Sequence, residues 1–207
     1  DDYEGGGGIA MSGALAKGGG YAVRLPMIDV SEVGAGGGSI VRIDAGGVLK
    51  IGPESVGAVP GPACYDRGGE HATVTDANVV LGYFNPVALA GGSVPVKAIR
   101  AQEAITRPVC DPTGIDLLEA AYGIHRVANA TMMRAVKAVS TYRGRNPRDF
   151  TLLAFGGNGG MHAAALAREL KIGRVTVPPG AGVFSAMGLL VASYEMGRSL
   201  PLSLPLN

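Results

Sequence analysis

The densest glycine cluster gives this sequence its clearest chemical signal. Residues 156–160 read GGNGG and follow the apolar run of residues 151–155. Because glycine has no Cβ, its backbone N–H groups can approach a ligand closely. Where such a run opens a helix, the free N–H groups and the helix dipole favour an anion. Residues 156–160 therefore predict an anion- or nucleotide-binding turn, with a glycine turn that serves only packing as the alternative.

A second glycine cluster lies more than a hundred residues earlier. Residues 34–39 read GAGGGS and follow the apolar run of residues 25–30. Two glycine loops that each follow a strand, in one chain of 207 residues, indicate one site built from two sides.

Few side chains near these loops have the chemistry of a catalyst. Asp29 precedes the first loop and is either a ligand of magnesium or of its water, or an ordinary carboxylate at a strand end. His162 begins the helix after the second loop and either faces a ligand or packs. His125 is predicted on the polar, solvated face of a long helix. With His71, these histidines have no zinc-ligand spacing.

Several function classes are excluded by what the chain lacks. The dinucleotide fingerprint fails because Ser39 and His162 stand at its last glycine position. No P-loop and no G-x-S-x-G nucleophile elbow occurs. The net charge of +1 gives no basis for nucleic-acid or membrane-surface binding. Cys64 and Cys110 are predicted to be free thiols in a reducing cytoplasm.

The elements that position the loops are predicted from periodicity, in a chain with 47 % apolar residues and 34 glycines. Residues 40–44 and 48–52 read as a hairpin, and residues 52–69 as a structured loop. A helix follows, capped by Thr75 or Asp76. Residues 96–106 read as a helix, and a longer one starts with Asp116 and ends at Gly144. The expected order from there is strand 151–155, helix 161–170, strand 174–177 and helix 183–193.

Longer motifs are spread along the chain from about residue 21 to 195. They are residues 33–40 (VGAGGGSI), Val48, residues 51–55 (IGPES), residues 60–65 (PGPACY), residues 73–78 (TVTDAN), Leu81, Gly82, residues 147–150 (PRDF), residues 155–157 (FGG), His162, Ala163, residues 177–180 (VPPG) and residues 184–189 (FSAMGL). In these motifs and in their order, the chain resembles the hydantoinase A/5-oxoprolinase family.

Three departures stand out from that family pattern. The family usually has Ala and Pro in the central loop, where this chain has Asn158 and Gly160-Met161. Many members carry His-Thr where this chain has Ser31-Glu32, so a role for that His does not transfer. The family polypeptides are far longer, and their N-terminal Gly-Thr-rich phosphate motif does not occur in this sequence. Both ends are therefore expected to continue into something longer.

The resemblance implies an α/β fold: one lobe of an actin-like ATPase (ribonuclease H-like), with a mixed sheet flanked by helices. Residues 21–195 would form this lobe, residues 1–20 a glycine-rich loop or edge of a preceding lobe, and residues 196–207 a tail. ATP and Mg²⁺ are the implied cofactors. Residues 34–39 would be the second phosphate loop and residues 156–159 the adenosine-side loop. The implied catalytic residues are Asp29, also the metal ligand, and Asp76. The implied nucleotide-binding residues are Gly34, Gly36, Gly37, Gly38, Ser39, Gly156, Gly157, Asn158, Gly159 and His162.

The resemblance also implies a reaction class. It suggests an ATP-dependent amidohydrolase that opens a cyclic amide, such as a hydantoin or 5-oxoproline, through phosphoryl activation. Expected partners are a hydantoinase B-type subunit and the N-terminal lobe. One alternative is the ATP-binding subunit of an acetone- or acetophenone-type carboxylase, which acts on a ketone. The other is a non-catalytic lobe that serves as a docking subunit.

Overall fold

The computed structural model describes residues 32–84, 89 and 92–192. Its helices and strands confirm the α/β class. The predictions for residues 1–31 and 193–207, including the whole of the N-terminal segment 1–20, the tail 196–207 and Asp29, lie outside the described residues.

An antiparallel hairpin follows the first glycine loop, as predicted. Strand β1 spans Ser39–Ile43 and β2 spans Leu49–Ser55, with Val41 opposite Ile51. The connecting turn is held by Asp44, whose Oδ1 accepts hydrogen bonds from the N–H groups of Gly46 and Val48. Strand β2 is longer than predicted and takes the first residues of the expected loop.

Three helices build the main core against this hairpin. They are α1 (Val74–Val80), α2 (Ala98–Ile105) and α3 (Leu117–Val139). A π-helical segment, Thr106–Cys110, and the short helical turn Asp111–Thr113 connect α2 to α3. The buried side chains of this core are mostly small: Val41, Ala72, Val74, Ala77, Ile105, Val109, Ala120, Ala121, Ile124 and Ala128. Small core residues let these helices approach one another closely.

The ends of α1 and α3 differ from the prediction. Thr73, not Thr75 or Asp76, is the N-cap of α1, because its extended backbone and hydroxyl complete a capping box with Asp76 three residues later. Asp116 caps α3 as predicted, accepting from the N–H groups of Leu118 and Glu119. Helix α3 ends at Val139, and Gly144 instead ends the short 3₁₀ turn Thr141–Arg143, in a left-handed conformation.

A strand–helix–strand unit carries the second glycine loop. Strand β3 (Thr151–Leu153) pairs in parallel with β4 (Arg174–Thr176), and α4 (Gly159–Leu170) crosses between them. A parallel pair requires such a crossover. A 3₁₀ turn, Ala181–Val183, leads into α5 (Phe184–Val191).

The expected single mixed sheet is not found in the described part of the chain. The strands there form two separate pairs, one antiparallel and one parallel. Strand β2 of the hairpin packs on α3, whereas β3 and β4 are only three residues long and β4 packs on α4. Leu153 and Val175 remain 45 % and 38 % exposed on that second pair.

Candidate functional site

The two glycine loops meet in the folded chain. A Cβ added to Gly37 would run into the Asn158 amide and come within 2.7 Å of the Thr75 hydroxyl. The Asn158 Nδ2 lies 3.4 Å from Thr75 Oγ1 and donates to it. The Thr75 N–H in turn donates to the Gly37 carbonyl at 2.9 Å. We call Gly37, Thr75 and Asn158 the loop junction; it brings together segments 121 residues apart in sequence.

The first loop is closed by its own hydrogen bonds. The Gly36 N–H donates to Ser39 Oγ at 2.8 Å, and the Ser39 N–H returns a bond to the Gly36 carbonyl. The Gly38 carbonyl accepts from the Val56 N–H at 2.9 Å. Together with Gly37, three successive carbonyl oxygens are thus engaged within the protein. This arrangement fixes the path of residues 36–39.

Close packing explains most glycines of this first loop. A Cβ at Gly34 would lie 2.8 Å from the Cβ of Pro53, and one at Gly38 would lie 2.7 Å from Ser55 Oγ. Gly36 is the exception, because a Cβ there meets no atom within 4 Å.

The second loop is open where the first is closed. Gly156 turns the chain in a left-handed conformation and its N–H donates to the Ala181 carbonyl at 2.8 Å. At Gly157 and Gly160, in contrast, an added Cβ meets nothing within 4 Å. Asn158 is the N-cap of α4, yet its side chain caps no helical N–H group. The Met161 N–H donates to the Asn158 carbonyl at 3.1 Å. Within the described residues, the N–H groups of Gly159 and Gly160 stay available, at the end of a 12-residue helix where the dipole attracts anions.

The predicted site residues separate into two groups in this geometry. Residues 34–39 and 156–159 line or support the loop junction. His162 does not face it: its side chain is fully buried. The prediction that His125 is solvated is wrong, because its ring is only 4 % exposed. Position 125 lies one residue from Ile124 and four from Ala121, so it falls within the buried face of α3 rather than opposite to it.

The two histidines belong to a buried polar cluster that the sequence did not predict. His125 Nδ1 lies 2.9 Å from Asn78 Oδ1, and His162 Nδ1 lies 2.6 Å from Asn129 Oδ1. Asn78 Nδ2 lies 3.5 Å from His162 Nε2. The imidazole rings stack, with centroids 4.7 Å apart. The available signal was the spacing of His125 and Asn129, which places both on one face of α3 with Ile124 and Ala128.

Asp76 is fully buried and its carboxylate is engaged on both oxygens. Oδ1 accepts from the Cys64 N–H at 2.8 Å, and Oδ2 accepts from the Thr73 N–H and hydroxyl at 2.9 and 2.7 Å. Burial raises the pKa of Asp76, and the bonds from Thr73 and Cys64 oppose that rise. These contacts fix the start of α1, and hence Thr75; a catalytic role for Asp76 stays a prediction.

A shallow cleft of about 490 Å³ adjoins the second loop. Gly160, Met161 and Arg168 of α4 line one side, and Tyr83 and His125 line the other. Within residues 32–84, 89 and 92–192, no three His, Cys, Asp or Glu side chains cluster as a metal site would require. Among those same residues, no helix combines the length and the apolar character needed to span a bilayer.

Comparison with known proteins matches residues 9–198 to the Hydantoinase/oxoprolinase family. The alpha subunit of caprolactamase from Pseudomonas jessenii is 42 % identical over 186 residues, covering 89 % of this chain and 27 % of that protein. The gamma subunit of acetophenone carboxylase from Aromatoleum aromaticum is 42 % identical over 185 residues, covering 87 % of this chain and 25 % of that protein. The crystal structure of ATP-dependent caprolactamase from Pseudomonas jessenii superposes with a TM-score of 0.75 at 45 % identity, over 81 % of this chain and 24 % of that one.

This chain thus spans about a quarter of the length of the relatives it matches. Its family match covers most of its own residues, including both glycine loops and the helices between them. The chain belongs to the Hydantoinase/oxoprolinase family.

Proposed function

We propose that this chain is part of an ATP-dependent amidohydrolase that opens a cyclic amide, and that the loop junction is where it holds the phosphates of ATP. The observation that carries the proposal is the meeting of two glycine loops at Gly37, Thr75 and Asn158, beside glycines whose Cβ positions are empty. The ATP-dependent caprolactamase structure, at 45 % identity, supports this reading.

The residues at the junction suit a polyphosphate. The first N–H groups of α4 point out of a helix N-terminus, where an anion is stabilised. The absence of side chains at Gly36 and Gly157 leaves room for oxygens to approach the backbone. In the proposed arrangement, residues 34–39 bind the phosphates and residues 156–159 lie on the adenosine side, within the lobe of an actin-like ATPase.

ATP would supply a phosphoryl group that activates the amide oxygen for ring opening. What this chain contributes is positioning and charge stabilisation, which dominate catalysis of phosphoryl transfer. A magnesium ion fits that task, and we assign its ligand to Asp29. Asp29→Asn should then lower turnover far more than ATP affinity, because the metal acts on charge that develops in the transition state. Equal losses in turnover and in affinity would instead favour a structural Asp29.

A carboxylase subunit is the second candidate. The acetophenone carboxylase gamma subunit is as identical to this chain, at 42 %, as the caprolactamase alpha subunit. Both of these relatives are named as subunits, which favours a hetero-oligomeric partner here, proposed as a hydantoinase B-type chain. The remainder of the ATPase unit, including an N-terminal lobe, would come from residues beyond this chain.

The two candidates are separated by what stimulates phosphate release from ATP. The complete enzyme would be assayed with cyclic amides (a hydantoin, 5-oxoproline and caprolactam) and, separately, with a ketone plus bicarbonate. Stimulation by a cyclic amide, with the ring-opened product in proportion, is the expected result. Stimulation only by the ketone with bicarbonate would assign the chain to the carboxylase branch. If neither kind of substrate stimulates phosphate release while a partner subunit remains bound, the chain would be assigned as a non-catalytic docking subunit.

A further inference from the structure

We propose that His162 is a positioning residue for the second glycine loop: held neutral between Asn78 and Asn129 and stacked on His125, it fixes the first turn of α4 against α1. The inference rests on the proposed function only where it concerns ATP. Its structural part, the coupling of this cluster to the loop, stands on the contacts alone.

Two contacts one helical turn apart join α4 to α1. At the loop junction, Asn158 reaches Thr75. Four residues further along α4 and three further along α1, His162 reaches Asn78. Residues at these spacings lie on the same face of a helix, so both contacts belong to one seam between α1 and α4. The first contact is at the loop and partly buried, whereas the second is in the interior.

Helix α3 braces the inner contact from a third side. His125 and Asn129 are four residues apart on α3, and they bond Asn78 and His162 respectively. Each asparagine amide is thereby paired with an imidazole from another helix. The start of α4 cannot shift relative to α1 or α3 without leaving buried polar groups unpaired, which costs more than an ordinary hydrogen bond contributes.

The hydrogen bonds run in a single direction and fix the tautomers. Asn129 Oδ1 accepts, so His162 Nδ1 carries a proton. Asn78 Nδ2 donates to His162 Nε2, so that nitrogen carries none. Asn78 Oδ1 accepts from His125 Nδ1. A second proton on His162 would set an N–H against the Asn78 amide group, so the cluster accommodates only the neutral ring.

Electrostatics favour the same protonation state. Burial lowers the pKa of His162 to about 4, and the adjacent His125 contributes to that decrease. Burial also lowers the pKa of His125. The other ionisable side chains on the surrounding elements are Asp76 on α1, Tyr83 after it, Glu119, Tyr122, Arg126, Arg134 and Lys137 on α3, and Arg168 and Glu169 on α4. Glu119 and Glu169 are exposed to solvent. Asp76 is engaged by Cys64 and Thr73, and the Tyr83 ring meets His125 edge-on at 5.1 Å, so neither offers a counter-ion to a charged imidazole.

Acidification should therefore release the start of α4. Opening this seam exposes both rings to water, where their pKa is near 6.5, so the open state takes up protons at a higher pH than the closed state does. Each histidine then favours opening by up to about tenfold per pH unit. The loop would lose its position against Gly37 as pH falls from about 6.5 towards 4.

The test is amide hydrogen exchange of the complete chain without nucleotide, followed by NMR at Ala163 and Ala164 from pH 8 to pH 5 and corrected for intrinsic rates. Long-range ¹H–¹⁵N spectra of the rings report their tautomers. We expect Nδ1–H tautomers at pH 7.5 and protection that falls about tenfold or more per pH unit below pH 6.5. A charged or Nε2–H His162 at pH 7.5, or protection independent of pH, would overturn the proposal.

Two substitutions sharpen this experiment. His162→Phe keeps the ring shape without its hydrogen bonds, and should lower protection at pH 8 about tenfold or more and flatten the dependence on pH. His71→Phe is the matched control, because His71 is exposed and outside the cluster; it should change neither. Unchanged protection in His162→Phe would refute the positioning role. If that variant does not fold, the pH titration of the unaltered chain decides.

ATP affinity measured over the same pH range separates this inference from the proposed function. A parallel loss of affinity and of protection supports both. Loss of protection in a chain that binds no ATP at any pH sustains the positioning role and refutes the nucleotide site. Affinity that stays constant while protection falls refutes the role of the cluster in ATP binding.

Discussion

The two glycine loops use the same residue for opposite reasons. In the first loop, Gly34, Gly37 and Gly38 are glycine because neighbouring protein atoms occupy the space that a Cβ would need. In the second loop, Gly157 and Gly160 have no protein atom within that reach. The internal packing of the described residues explains the first set and gives no reason for the second.

This difference indicates where a ligand would act. A glycine that packing does not require is explained by backbone that must stay accessible to something outside the protein. The closed loop then offers a ligand a rigid backbone that is open at Gly36, and the open loop offers an accessible backbone at Gly157 and Gly160. Asn158 joins them, because it belongs to the open loop while its amide packs on Gly37 of the closed one.

The largest expected effect concerns ATP hydrolysis by this chain without the rest of the proposed ATPase unit. A phosphoryl group held by one lobe only is not aligned with its acceptor, and such alignment contributes on the order of 7–11 kcal/mol to lowering a reaction barrier. Losing half of that slows the reaction by roughly 400-fold to 10,000-fold. Phosphate release by this 207-residue chain should therefore be near background, and should rise when the remaining lobe is co-expressed.

Robust hydrolysis by the chain alone would contradict the proposal that a second lobe is needed to complete the site. It would also mean that the closed and open loops together are sufficient for ATP hydrolysis, whatever the difference between them.

The second prediction concerns the helix that supports the open loop and how its stability depends on pH. The open loop leads into α4, whose first turn carries His162, and burial lowers the pKa of that ring from 6.5 to about 4. A lowered folded-state pKa means that the unfolded chain binds the proton first. Stability should therefore fall from about pH 6.5 down to pH 4, by on the order of 3 kcal/mol. Urea unfolding at intervals across this range measures the loss, and His162→Phe should reduce it.

The third prediction compares adjacent glycines of the closed loop. Gly37→Ala places a methyl group against Asn158 and Thr75 and should destabilise the fold by about 1–3 kcal/mol. Gly36→Ala meets nothing within 4 Å and should change stability by less than about 1 kcal/mol. Urea midpoints of the two variants provide the measurement. Equal destabilisation of both would show that backbone conformation, rather than contact between the loops, sets the requirement.

Sequence patterns predicted the elements better than the contacts between them. The hairpin, the Asp116 cap and the strand–helix–strand unit follow from local alternation, capping chemistry and glycine turns, all of which act within a few residues. The pairing of Asn158 with Thr75 spans 83 residues and has no local signature. Asn158 is also a departure from the family pattern, and the resemblance implied a nucleotide-binding role for it rather than this contact with Thr75.

The environment of the buried histidines was not predicted, for a different reason. A polar residue beside an apolar stripe is usually solvated, so the pattern predicts His125 on the solvent-facing side of the helix. His125 is buried because it has a hydrogen-bond partner on another helix, Asn78. The periodicity of α3 alone carries no information about that partner. Likewise, the engagement of Asp76 by Cys64 depends on a residue 12 positions away, and the sequence shows only the Thr73 side of that interaction.

The central claim is that the open loop forms part of the ATP site, and a matched pair of glycine substitutions tests it most directly. Gly157 and Gly173 are both exposed, and an added side chain meets no protein atom within 4 Å at either position. Isothermal titration with ATP and magnesium would compare Gly157→Val and Gly173→Val in the complete enzyme. We expect Gly157→Val to weaken ATP binding at least about tenfold, or roughly 1.4 kcal/mol, with Gly173→Val unchanged. Equal affinity in the two variants would remove the second loop from the nucleotide site.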